Sequence, residues 1–104
     1  MNNLHVFMDH WKQSKSNIFK IEELESDISE DFENEIISRC LELSGKGLLA
    51  KAIQWDDGFL ELNVVDESTN NTMLQSSCTI EEEWELEERL NTWLGEIIFY
   101  LEKS

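Results

Sequence analysis

Residues 47–65, GLLAKAIQWDDGFLELNVV, constrain the fold more than any other part of the chain. In an extended backbone, successive side chains point to opposite faces. The first run then sends Leu49, Lys51, Ile53 and Trp55 one way and Leu48, Ala50, Ala52 and Gln54 the other. In the second run Phe59, Glu61, Asn63 and Val65 oppose Leu60, Leu62 and Val64. The Asp57-Gly58 step between them is a hairpin signal, because glycine supplies the positive φ that a tight turn needs. An isolated hairpin is at best marginally stable in water, so this one requires further strands and a cover for its apolar face. A third strand is expected to begin near Thr72 or Met73, after the polar DESTNN loop.

Helices can supply the cover. Leu4, Phe7, Met8 and Trp11 follow the i, i+3, i+4, i+7 spacing of a short amphipathic helix, which SKSN interrupts. IFKIEEL has mixed periodicity, consistent with a helical turn or with an extra strand around residues 18–24. Residues 30–44 read as a helix. Ile28, Phe32, Ile36, Cys40 and Leu43 share a face widened by Ile37 and Leu41, and Asp31, Glu35, Ser38 and Glu42 lie opposite. Ser29 or Asp31 would cap its start and Gly45 would close its end.

The C-terminal segment is expected to be a strand or irregular to about residue 82 and helical to about residue 102. Ile80, Trp84, Leu90, Leu94, Ile98 and Leu101 form the helix's apolar side, widened by Leu86, Trp93 and Ile97. Thr79 and Glu82 spell a capping box, while Glu83 and Glu87 fall within the apolar arc and argue for a late start. The expected architecture is α+β. A small antiparallel sheet of three or four strands packs against helices, with a long C-terminal helix, in one domain over residues 1–104.

Charge narrows the function. The net charge is −15, and it is unevenly spread. Residues 21–44 hold nine acids and one arginine, and residues 79–104 hold eight acids and two basic residues. That balance argues against binding a nucleic-acid backbone, which needs Lys and Arg to neutralise phosphates, and against an anionic membrane surface. A basic protein would instead be attracted. Only Cys40 and Cys78 are present, fewer than a small disulfide-stapled secreted fold uses. Cys40 lies on the apolar side of the expected helix and reads as a core thiol. No basic-then-apolar leader and no run long enough to span a bilayer is evident, so the cytoplasm is the expected compartment.

Nothing points to catalysis. His5 and His10 do not share a helical face, and no zinc, calcium or cysteine-pair motif accompanies them. SGKG at 44–47 lacks the spacing and the Lys-Ser/Thr ending of a phosphate loop. No carboxylate pair is singled out for general acid–base work. The expectation is a protein that is not an enzyme and uses no metal or cofactor.

Binding accounts for more of the pattern. The candidate partner-binding residues are Asp27, Glu30, Asp31, Glu35 and Glu42 from the first acidic block, and Glu81, Glu85, Glu88 and Glu96 from the second. Trp55, Asp56 and Asp57 join them at the hairpin turn. Carboxylates pair with Lys and with the planar guanidinium of Arg. Aromatic anchors are the usual hot spots of tight interfaces; Trp55, Phe99 and Tyr100 are the candidates, while Trp11, Trp84 and Trp93 read as packing residues.

Small size, acidic blocks and the layout from WDDGFLELNVV to TWLGEIIFYLEKS resemble the small bacterial immunity proteins that neutralise contact-dependent or polymorphic nuclease toxins. The resemblance implies a cytoplasmic protein that binds a basic RNase or DNase domain one to one, plugging its active site or masking a nearby surface, with no direct contact to nucleic acid. Three rivals remain, one of them a small enzyme, which would require a concave pocket gathering some of the acids with His5 or His10. An acidic adaptor would bind a host protein mostly through apolar contacts. A DNA mimic would need carboxylates spaced like phosphates.

Overall fold

The computed structural model describes residues 3–33 and 35–103. The α+β class and the long C-terminal helix hold. Two helices, α1 (Asn3–Ser14) and α2 (Ser16–Ile21), precede five strands: β1 (Glu25–Glu33), β2 (Ile36–Gly45), β3 (Leu48–Trp55), β4 (Phe59–Asp66) and β5 (Asn71–Thr79). Helix α3 (Glu83–Lys103) follows β5. The strands form one antiparallel sheet in the order β1-β2-β3-β4-β5, a meander in which each strand pairs with its sequence neighbours.

The central hairpin forms as its alternation dictates. Leu48, Ala50, Ala52 and Gln54 of β3 are buried, as are Leu60, Leu62 and Val64 of β4, while the residues between them are half-buried or exposed. The helices cover the buried face. Met8, Trp11, Phe19, Leu86, Leu90, Trp93 and Ile97 pack onto it with Leu41 and Leu43 of β2. Trp11 and Trp93 lie 6.3 Å apart, and Trp11 and Phe19 6.2 Å. Both indoles are satisfied, since Trp11 Nε1 donates to Asn91 Oδ1 at 2.9 Å and Trp93 Nε1 to the Asn63 carbonyl at 3.1 Å. The opposite face of the sheet carries no helix among the described residues.

The helix expected over 30–44 is instead the hairpin of β1 and β2, which also raises the strand count to five. Leu41 and Leu43 alternate with Cys40, Glu42 and Ser44 in the strand period, and Leu41 pairs with Ala52. Glu35 turns the chain with φ of 66°. Pairing with the strongly specified β3 overrides a local spacing that fits both periods. Gly45 ends β2 rather than a helix, and a Cβ there would meet the Glu23 carbonyl at 2.6 Å. Residues 18–21 are helical, so no additional strand precedes β1 among the described residues.

The start of α3 also differs in detail. Glu85, not a Thr79–Glu82 box, closes the first turn, with its Oε1 accepting from Glu82 N at 3.0 Å and Glu81 N at 3.3 Å. Because the helix begins at Glu83, Glu83 and Glu87 are both exposed and neither carboxylate is trapped in the core.

Candidate partner-binding site

The β3–β4 turn, the segment leading into α3 and the first residues of α1 meet at one end of the sheet. Gly58, with φ of 96°, makes that meeting close. Ile80 N donates to the Gly58 carbonyl at 2.7 Å, which draws Glu81 to Glu83 alongside Asp56 and Asp57. Asp57 also shapes the turn, its Oδ1 accepting from Phe59 N at 3.0 Å. From inside, the buried Gln54 side chain donates through Nε2 to the carbonyls of Trp55 and Phe59, both at 3.2 Å. His5, itself buried, lies with Nε2 3.0 Å from the Gln54 carbonyl and therefore donates to it, tying α1 to the same turn. His5 is thus a packing residue that positions the loop.

The result is an open cleft of about 500 Å3 edged by five carboxylates: Asp56, Asp57, Glu81, Glu82 and Glu83. None of the described residues that line it is basic. Trp84 stands at its rim, 64% exposed, which corrects the expectation that this tryptophan is core. A wheel centred on Leu86, Leu90, Trp93 and Ile97 places residue 84 on the opposite flank, at about 100° per residue. Further apolar surface gathers at this end. Trp55 and Phe59 pack with ring centroids 5.5 Å apart, and Phe32 and Ile36 are 65% and 41% exposed where β1 and β2 end beside Asp56. Exposed aromatic rings within a rim of like charge have the make-up of an anchor and its steering field.

The structure brings together some of the expected residues and disperses others. Asp31, Glu35, Trp55, Asp56, Asp57 and Glu81 all lie at this end of the sheet. Asp27 and Glu42 are cross-strand neighbours farther along the uncovered face, where Lys51 sits directly opposite Glu42 and offsets part of their charge. Glu30 is engaged: Arg39 Nη1 donates to it at 2.7 Å, and Nη2 donates to Asp9 at 2.6 Å, clamping α1 to the sheet. Glu85 serves the first turn of α3, and Glu88 and Glu96 lie along that helix away from the cleft. Glu82, Glu83, Phe32 and Phe59, which are not among the candidates named from the sequence, also lie at this end.

Neither cysteine is part of this arrangement. Cys40 belongs to the uncovered sheet face and is half-buried, contrary to the core position expected from a helix; Cys78 lies on the helix-covered face, two strands beyond β3. Burial pushes the Cys40 thiol up from its ordinary range, and Glu42 and Asp27 add to this against the opposing pull of Lys51. A raised pKa keeps the thiolate scarce at neutral pH. Iodoacetamide labelling of Cys40 is therefore expected to be slow at pH 7 and to climb about tenfold per pH unit through pH 9. Peptide mass spectrometry follows the rate, and a plateau by pH 8 would contradict the assignment.

Among the described residues, no group of three or more His, Cys, Asp or Glu is arranged to hold a metal ion. No helix among them is long and apolar enough to cross a membrane. The chain matches the family model described as Immunity protein TriTu over residues 6–96. The chain belongs to that family. The matched span runs from α1 to Glu96 and includes the whole acidic cleft apart from its α1 rim. No curated protein matches the chain in sequence. Immunity proteins act by binding a toxin rather than by catalysis, which is the class that the sequence resembles and the sense in which the chain is not an enzyme.

Proposed function

We propose that this immunity protein binds and neutralises a cognate basic nuclease toxin domain in the cytoplasm, laying its acidic end over the toxin's nucleic-acid cleft. The observation that carries this reading is the set of five carboxylates around one open cleft with Trp84 exposed at the rim. A nuclease must present Lys and Arg to hold a phosphate backbone. An inhibitor offering carboxylates in the same place competes for those groups and pairs with them bidentately where they are arginines. Trp84, Trp55 and Phe59 supply the desolvated contact that slows dissociation, while Asp31, Glu35 and the Asp27–Glu42 row extend the attractive field. The toxin's cleft is occluded directly and no nucleic acid is bound.

The test neutralises charge without removing hydrogen-bonding shape. The combined variant Asp56→Asn, Asp57→Asn, Glu82→Gln and Glu83→Gln is mixed with a catalytically inactivated form of the cognate nuclease domain. Stopped-flow association at low salt is expected to slow by about tenfold or more. An unchanged association rate would move the interface away from this end of the sheet.

A further inference from the structure

We propose that the bound toxin domain also covers the sheet face that carries no helix, setting an apolar ridge along β3 and β4 and its lysines and arginines over β1 and β2. This rests on the toxin-binding reading and adds a second, adjoining surface to it.

The strand registers lay this face out. One row across the five strands is Asp27, Glu42, Lys51, Asn63 and Gln75, and the next is Ser29, Cys40, Ile53, Glu61 and Ser77. Leu49 and Val65 pair on one side of these rows. On the other side Asp31, Ser38 and Trp55 follow, and Trp55 packs against Phe59 where the face runs into the acidic end. Along the strands this makes an apolar stripe of Leu49, Ile53, Trp55, Phe59 and Val65. Glu25, Asp27, Asp31 and Glu42 form an acidic column on its β1–β2 flank, while Gln75, Ser77 and Thr79 leave the β5 flank neutral. Lys51 is the one base on this face among the described residues.

An antiparallel sheet with one face in water normally turns polar residues to that side. This face does so at its two edges but not at its centre, where Leu49, Ile53, Trp55 and Val65 remain half-buried and Phe59 is exposed. The acidic flank also works against the fold, because Asp27 lies directly opposite Glu42 and like charges on facing residues are destabilising. An open hollow of about 510 Å3 lies at this pair, lined by Glu25, Asp27 and Glu42 with Ser26 and Ser44. Its charge and size suit an entering lysine or arginine side chain, whose N–H groups the carboxylates and hydroxyls accept.

Charge selects the occupant. A second copy placed face to face would bring a further net charge of −15 and, from the described residues of this face, only Lys51 to meet the acidic column. A basic domain neutralises that column and fills the hollow. Size points the same way. Five strands about 4.8 Å apart and about seven residues long give the face about 500 Å2 in projection, and a one-to-one protein complex covers about 800 Å2 of each partner. The face thus supplies most of that area and the adjoining acidic end the rest. Trp55 and Phe59 stand at the junction of the two surfaces, so one domain can lie across both without a break.

Cys40 reports on the centre of the face, where it lies opposite Ile53, and Cys78 on the helix-covered face is its internal control. Iodoacetamide labelling at about pH 9 is compared for the free chain and for the chain saturated with the catalytically inactivated cognate nuclease domain, with peptide mass spectrometry reading each site. Labelling of Cys40 is expected to slow by about tenfold or more in the complex while Cys78 keeps its rate. Ser29→Arg sets a base into the acidic column at an exposed position and should raise the Kd for the domain about tenfold. Thr92→Arg makes the same charge change at an exposed position of α3 and should raise it less than about threefold. A Cys40 that labels at its free rate in the saturated complex, or equal effects of the two arginine variants, would overturn the proposal. Slower association of the charge-neutralised acidic end would then leave the toxin-binding reading standing, whereas a nuclease domain that does not bind at all would remove both.

Discussion

Gly58→Ala is expected to cost about 3 kcal/mol and to lower the melting temperature by about 15 °C. Two independent effects add at this position. The residue has φ of 96°, a conformation that L side chains rarely adopt. A Cβ would also lie 2.5 Å from the Ile80 carbonyl, a backbone atom held by its own hydrogen-bonded strand end. Neither side can yield without opening the contact that brings Asp56 and Asp57 beside Glu81 to Glu83. The substitution should therefore weaken toxin binding as well as the fold. Circular dichroism melts of the two proteins measure the first effect, and a loss below about 3 °C would show that the turn relaxes freely.

Trp84→Ala should do the reverse, leaving stability nearly unchanged while raising the toxin Kd by about thirtyfold or more. An exposed helix position contributes little to folding, and Trp84 is 64% exposed at the rim of the acidic cleft. A bulky indole left in water at such a place is explained by a partner that covers it. Calorimetric titration against the inactivated toxin domain, with a parallel melt, separates binding from stability. A Kd within threefold of the unsubstituted protein's, on the order of 0.7 kcal/mol, would remove Trp84 from the interface.

The contrast between these two positions shows what the sequence made legible. β3, the Asp57-Gly58 turn and β4 were readable because hydrophobic alternation and turn chemistry agreed over a long stretch. The body of α3 was readable because Leu86, Leu90, Trp93 and Ile97 repeat at helical spacing. β1 and β2 were not. Ile28, Phe32, Ile36, Cys40 and Leu43 recur every three or four residues, as on a helix, and β1 is an edge strand whose polar residues carry little alternation. The sheet partner decided the outcome, which no local window contains. Trp84 was misplaced for a related reason, since the helix phase is set by where α3 begins and Ile80 is buried before the helix rather than in it.

The acidic character of the site was visible as composition, but its assembly was not. Asp56–Asp57 and Glu81–Glu83 are brought together by β4 and β5 folding back between them, ending in the Gly58–Ile80 contact. Likewise Glu30 and Glu85 look like their neighbours in sequence, yet Arg39 and two backbone amides occupy them. Structural duty thus marks out Glu30 and Glu85 within a uniform-looking set of carboxylates.

The most direct test of the central claim is the ionic-strength dependence of association with the inactivated toxin domain. If the acidic end steers a basic cleft, the association rate should fall by about tenfold to a hundredfold between roughly 50 mM and 500 mM salt, with the dissociation rate changing far less. The charge-neutralised variant should show a shallower slope over the same range. Association that is independent of salt, with identical slopes for both proteins, would contradict electrostatic capture by this end of the sheet.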